Sequence, residues 1–403
     1  MISKEFLKAG HAPTLFSAFL YFDMSFMVWV LLGALGVQIA ADLGLTPAEK
    51  GFMVAVPILT GALLRMVSGV LVDRIGPKMT GAISQMIVIA GLLLAWLLNV
   101  NSYEGILALG VVLGVAGSSF AVALPLASRW YPPQYQGIAL GIAGAGNSGT
   151  VFASLFAPSL AKMFGWSTVF GLAAIPLIIA FVVYMLFAKD APDQPAPKKL
   201  EQYLSILKEP DAWWFMLFYG VSFGGFVGLS SSLNIYFNVE YGLGPVIAGF
   251  FTAACVFAGS LVRPIGGGLA DKIGGIRTLS IMYVVAAIAL VIMSVKLPSA
   301  YATLGVLIVG MSALGMANGA VFQLVPQRFR NEIGVMTGLV GMFGGIGGFY
   351  LAASLGVSKQ ALGSYQPGLI GFAVLAVIAF GGLTLIKRRW RTTWGAAIAD
   401  ARI

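Results

Sequence analysis

Along the chain, apolar stretches long enough to cross a bilayer alternate with short polar turns. A membrane-spanning helix needs about 20 mainly apolar residues. The pattern predicts twelve such helices, at 14–40, 51–72, 79–99, 105–128, 137–161, 166–188, 212–239, 246–270, 278–295, 301–325, 334–357 and 366–386. The longest polar stretch, 189–210, divides them six and six. It holds Asp190, Pro192, Asp193, Pro195, Pro197, Lys198 and Lys199, the composition of a linker. The predicted fold is an all-α membrane protein. One six-helix bundle covers 1–188, the linker covers 189–210, and a second six-helix bundle covers 211–403.

Composition agrees with the pattern. The chain is 59% hydrophobic and 10% charged, whereas a soluble domain carries about 25% charged residues. Of the 24 lysines and arginines, 18 fall in the termini and loops on one side of the predicted membrane and four on the other. That bias places both termini and the linker in the cytoplasm. It also accounts for the net charge of +9 as insertion chemistry, without a nucleic-acid partner. The N-terminal Lys4 and Lys8 lead into a full-length apolar segment with no small-residue cleavage site, so no removable signal is expected. Cys255 is the single cysteine and His11 the single histidine. No intrachain disulfide, His/Cys metal cluster or Ser/His/Asp set is available. The glycines of 141–149 lie in an apolar span with no preceding strand, which excludes a dinucleotide loop. Neither an enzyme nor a cofactor is expected.

The other two basic residues, Arg65 and Arg263, lie inside predicted spans and 198 positions apart. A cation within a bilayer costs at least about 2.5 kcal/mol on insertion scales and marks a functional site by default. Two of them, without an equally placed acid, suggest a site for an anion. The same offset relates Gly69-Val-Leu-Val-Asp73-Arg74-Ile-Gly76-Pro-Lys78 to Gly267-Gly-Leu-Ala-Asp271-Lys272-Ile-Gly274-Gly-Ile-Arg277. This duplicated motif resembles the loop between helices two and three of the major facilitator superfamily. The resemblance covers the whole chain. It implies two pseudo-symmetric bundles around a midplane site that opens alternately to either side. Asp73, Arg74, Asp271 and Lys272, with Arg129 at the end of the fourth span, read as a gate latch. Carboxylates at helix ends accept from orphan amides, and the cations can close salt bridges across the interface between the bundles.

Glycines recur in the fifth and eleventh spans. Gly137, Gly141 and Gly144 map onto Gly334, Gly338 and Gly341 at an offset of 197. Such stripes let helices approach closely. The segment Gly144-Ala-Gly146-Asn147-Ser-Gly149, its glycine-rich counterpart, the paired arginines, Ser118-Ser119-Phe120-Ala121 and Ser128-Arg129-Trp130-Tyr131-Pro132-Pro133 resemble the nitrate/nitrite porter family. That resemblance implies an anion clamped by Arg65 and Arg263. It places Tyr219, Phe223, Phe120 and Asn147 around the anion, with Gly144 and Gly344 on the tightly closing helices. A guanidinium fork suits a small planar oxyanion.

The resemblance implies a monomer in a bacterial inner membrane, carrying nitrate or nitrite. A site with two cations should reorient more readily when an anion occupies it, which favours exchange. Proton coupling would need a titratable group, and Asp23 is the one acid well inside a span. Its other reading is a carboxylate paired with a neighbouring donor. Another small anion, such as a monocarboxylate or cyanate, is the competing substrate class. A non-transporting sensor on a carrier fold is the competing function. It would need a larger cytoplasmic output surface than about 22 central and 17 terminal residues.

Overall fold

The computed structural model describes residues 4–192, 201, 205–329, 333–396 and 403. Half of the predicted linker lies outside these residues, including Asp193, Pro195, Pro197, Lys198 and Lys199. So do the basic residues Arg330 and Arg402.

Among the described residues the fold is all helix. Eleven helices are long and apolar enough to cross a membrane: α2 (Pro47–Ile75), α3 (Pro77–Leu97), α4 (Tyr103–Ser128), α5 (Ala139–Phe164), α6 (Trp166–Phe187), α7 (Pro210–Tyr241), α8 (Pro245–Ile273), α9 (Gly275–Ser294), α10 (Ala300–Arg328), α11 (Gly334–Leu362) and α12 (Gln366–Thr392). The first predicted span is not among them. It forms three consecutive helices, Ala12–Trp29, Leu31–Ala34 and Gly36–Leu43, with breaks at Val30 and Leu35. These pieces together are termed α1.

Ordinary sequence signals set the helix ends. Thr46 and Glu49 form a reciprocal capping box at the start of α2. Gly76, Gly165 and Gly274 turn the chain between helices at positive φ, where a residue without Cβ is unstrained. Asp211 near the start of α7 accepts from Arg328 of α10 at 2.8 Å, from Trp390 of α12 at 2.8 Å and from Arg389. One carboxylate therefore ties three helix ends together.

Three further helices are interrupted. α4 breaks at Ser118-Ser119, between Tyr103–Gly117 and Phe120–Ser128. α8 breaks at Val262, immediately before Arg263 and Pro264; a proline has no N–H to continue the helix ladder. The stretch Pro133–Gly144 passes through a 3-10 turn, Ala145–Ser148, into Gly149–Phe164. Interrupted helices frequently surround the binding sites of secondary transporters.

The two halves meet along α2 and α11, which run antiparallel. Gly51 faces Gly356, Ile58 faces Gly348, Ala62 faces Gly345 and Arg65 faces Gly341. The next step would bring Gly69 to Gly338, yet nothing stands within 4 Å of a Cβ built at either. The helices therefore separate just past Arg65, toward the end that carries Asp73. At the opposite end the halves touch again. Gly33 of α1 lies on the Ser231 backbone of α7, Gly249 of α8 lies on Ser154 and Pro158 of α5, and the Asn234 amide donates to the Ala34 carbonyl.

Candidate functional site

Arg65 is fully buried. Its Nε donates to the Gly117 carbonyl at 3.2 Å, and Nη1 donates to the Gly341 carbonyl. Gly117 can accept because α4 breaks there: the next amides turn to Ser118 and Ser119 instead. Three rings surround the guanidinium carbon, with centroids 5.5 Å away for Trp29, 5.2 Å for Phe120 and 5.0 Å for Phe223. Cation–π contacts of this kind stabilise by about 0.5–2 kcal/mol each. Nη2 remains buried without a partner.

Arg263 approaches the same Phe120 ring from the other half, 6.0 Å from its centroid, and Phe322 of α10 at 5.7 Å. Its Nη2 donates to the Tyr219 hydroxyl at 3.4 Å. Its Nη1 is buried without a partner. Tyr219 stacks on Phe223 at 5.1 Å, and Phe322 meets the Tyr219 ring edge-on at 5.0 Å. Two guanidiniums thus share one phenyl ring, and each keeps an unused, desolvated donor. A buried donor left unpaired costs roughly 1–3 kcal/mol, more when charged. An anion that accepted from both would recover that cost.

The structure brings together Arg65, Arg263, Tyr219, Phe223 and Phe120. Gly344 adjoins them, 2.6 Å from Tyr219 and 3.0 Å from Phe223 as measured from a Cβ built on it. Asn147 lies on the 3-10 turn of α5, 1% exposed, with neither amide atom hydrogen-bonded. That turn packs against Pro245–Leu261, the helix leading to Arg263. Asn147 and Gly144 make no hydrogen bond or ring contact with the arginines. Asp23 accepts from the Ser148 hydroxyl at 2.8 Å and lies outside the aromatic cluster.

The latch residues are divided. Asp73 pairs with Arg129 at 2.9 Å, within the first half and not across the interface. Asp271, Lys272 and Arg74 are exposed. None makes an ion pair among the described residues.

The sequence reading missed Trp29, Phe322 and the two carbonyls that hold Arg65. Phe322 had a signal: aligning Pro125 of α4 with Pro326 of α10 brings Phe120 within one position of it. The carbonyl partners had none, because any residue type supplies a carbonyl.

Residues 17–352 match the family model of the Major Facilitator Superfamily. Solved structures with the same fold include the human organic anion transporter MFSD10, with a TM-score of 0.71, 13% identity and coverage of 93% of this chain and 99% of that one. A bacterial homologue of the human lysosomal transporter Spinster has a TM-score of 0.69 at 17% identity, covering 96% and 98%. The chain belongs to the Major Facilitator Superfamily. Among curated relatives, the nitrite extrusion protein of Bacillus subtilis is 31% identical over 90% of both chains. The probable nitrate/nitrite transporter NarK2 of Mycobacterium tuberculosis is 32% identical, covering 92% of this chain and 95% of its own. The probable nitrate/nitrite antiporter NarK1 of Thermus thermophilus is 30% identical, covering 90% and 88%. Within the superfamily, the chain belongs to the nitrate/nitrite porters.

Proposed function

We propose that this protein carries nitrate and nitrite across the bacterial inner membrane by alternating access, with both termini in the cytoplasm. The observation that carries the reading is the pair of unused guanidinium donors, Arg65 Nη2 and Arg263 Nη1, on two arginines that share the Phe120 ring. No carboxylate among the described residues pairs with either arginine. A monovalent planar anion supplies the missing acceptors, and Phe120, Phe223 and Phe322 provide walls that strip its water. Nitrate and nitrite are weakly hydrated, so leaving water costs them comparatively little.

Exchange of one anion for the other is the mode this site favours. Returning without an anion would carry two uncompensated guanidiniums through an apolar constriction. The Asp23 carboxylate, the proton carrier an alternative symport would use, is engaged by Ser148. In this reading the halves, 1–188 and 211–403, rock as a monomer about the arginines, joined by the cytoplasmic linker 189–210. Asp73, Arg74, Arg129, Asp271 and Lys272 form the cytoplasmic latch as the halves close, and Gly144 and Gly344 line the closing pocket with Asn147.

The test is labelled nitrate uptake by purified protein in liposomes whose interior is empty or loaded with nitrite, at equal and unequal pH. Uptake only into nitrite-loaded vesicles is expected. Uptake into empty vesicles that follows an inward proton gradient would replace exchange with symport. No uptake under any condition would overturn nitrate as the substrate.

A further inference from the structure

Asn147 has an unusual position for a buried amide. It sits on a 3-10 turn inside a transmembrane helix, and neither amide atom is hydrogen-bonded. A 3-10 segment within a helix has poorer hydrogen-bond geometry than the helix around it and often marks a hinge. Something must hold such a turn if Asn147 is to keep one orientation. Two consecutive residues of α1 lie on it. A Cβ at Gly146 would stand 2.7 Å from the Phe22 ring, and one at Gly149 would collide with the Asp23 carbonyl. The Asp23 side chain, 3% exposed, accepts from the Ser148 hydroxyl at 2.8 Å, and the Asp23 backbone packs on Gly149. These contacts take both residues that follow Asn147. Phe22 also meets Phe120 edge-on at 5.9 Å, so the same stretch of α1 touches the ring shared by the two arginines.

We propose that Asp23 is a positioning residue: as an acceptor from the Ser148 hydroxyl it clamps the 145–148 turn and fixes the Asn147 amide for the transported anion. This rests on the nitrate/nitrite reading of the site. The clamp needs an acceptor at residue 23, and asparagine can supply one. Alanine supplies none. A hydrogen bond to a charged group is stronger than a neutral one, so the effect of losing it is large enough to measure in transport.

The experiment compares Asp23→Asn, Asp23→Ala, Asn147→Ala and the double variant Asp23→Ala/Asn147→Ala in nitrite-loaded liposomes. Asp23→Ala should raise the KM for nitrate about tenfold or more, and Asp23→Asn should stay within about threefold of wild type. Asp23→Ala should add little once Asn147 is already alanine, since the two residues act through one orientation. Amide hydrogen exchange over 145–149, on the same proteins in detergent, should speed up in Asp23→Ala and hardly change in Asp23→Asn. Additive effects on KM would overturn the proposal. Loss of uptake in Asp23→Asn would overturn it in favour of a role for the ionised or proton-carrying acid. Unchanged exchange in Asp23→Ala would overturn the clamp whatever the substrate is. If the wild type carries no nitrate, the substrate reading has failed, and the exchange experiment still decides the clamp.

Discussion

Three glycines of α11, Gly338, Gly341 and Gly344, meet three different surroundings, and substituting each by alanine should separate binding from movement. A methyl at Gly344 would stand 2.6 Å and 2.9 Å from two carbons of the Tyr219 ring and 3.0 Å from Phe223. Neither ring has room to swing. Tyr219 is stacked against Phe223 and edged by Phe322, and Phe223 is faced by Trp29. Overpacking at such a point costs about 1–3 kcal/mol. If the Tyr219 hydroxyl is displaced from Arg263, the loss appears in anion affinity as roughly 5- to 150-fold. At Gly341 the methyl would meet Arg65 at 3.4 Å and Phe120 at 3.5 Å. That is ordinary contact, so the loss should be about threefold or less. At Gly338 nothing lies within 4 Å. Alanine there should leave binding unchanged and stabilise the helix by up to about 1 kcal/mol, but slow transport, because α2 must close on this face when the site opens to the other side. Affinity can be read from the rise in thermal unfolding temperature with nitrate concentration, and turnover from exchange in liposomes. Gly344→Ala with wild-type affinity would refute the placement of Tyr219 and Phe223 in the pocket. Gly338→Ala with wild-type turnover would refute closure along α2 and α11.

Four further outcomes are expected. Arg65→Lys should raise the KM for nitrate by about tenfold or more, and by more than Arg263→Lys does. A lysine cannot serve the Gly117 and Gly341 carbonyls and the anion together, and it would leave buried acceptors unpaired; initial rates of nitrite-driven uptake decide the order. Asn234→Ala should loosen the end opposite the termini, so that a cysteine placed at Ser232, now 7% exposed, reacts faster with a membrane-impermeant maleimide in a Cys255→Ala background. Asp211→Asn should lower the thermal unfolding temperature, by an amount corresponding to about 1–2 kcal/mol, because it removes the carboxylate that Arg328 and Arg389 share, while both guanidiniums stay partly exposed and Arg328 keeps Glu209. His11 accepts from the Thr14 amide through Nδ1 at 3.2 Å, and burial, then the nearby Lys189 charge, holds its pKa below the ordinary value. The unfolded chain binds that proton more readily, so this stabilising contribution is present above about pH 6.5 and is lost as pH falls below it. His11→Asn should flatten that part of the unfolding-temperature profile, and an unchanged profile would remove His11 as its cause.

The fold was legible because bilayer thickness sets helix length directly, and the apolar runs report it. Buried arginines were legible for a related reason: a cation in an apolar span has few explanations. The first span shows where the pattern stops being informative. Residues 14–40 are mainly apolar, and the residues at Val30 and Leu35 themselves do not mark the breaks there. The charges of the duplicated loop motif were half legible as contacts. Asp73 and Arg129 do meet, but the sequence motif could not tell a pair within one half from a pair between halves. Contacts such as Asn234 with Ala34, 200 residues apart, depend on how two bundles dock, and helical periodicity within either bundle carries no record of that.

The parting of α2 from α11 has a mechanical consequence. The glycine contacts from Gly51–Gly356 to Arg65–Gly341 fix one arm of a lever, and the buried Arg65 stands at its fulcrum. From Arg65 to Asp73 the free arm is about 12 Å long at 1.5 Å per residue. A tilt of about 10° displaces its tip by only about 2 Å, roughly the thickness of a methyl group. A swing of that size matches the side chain that glycine lacks. A bead of one carbon at Gly338 is enough to act as a doorstop.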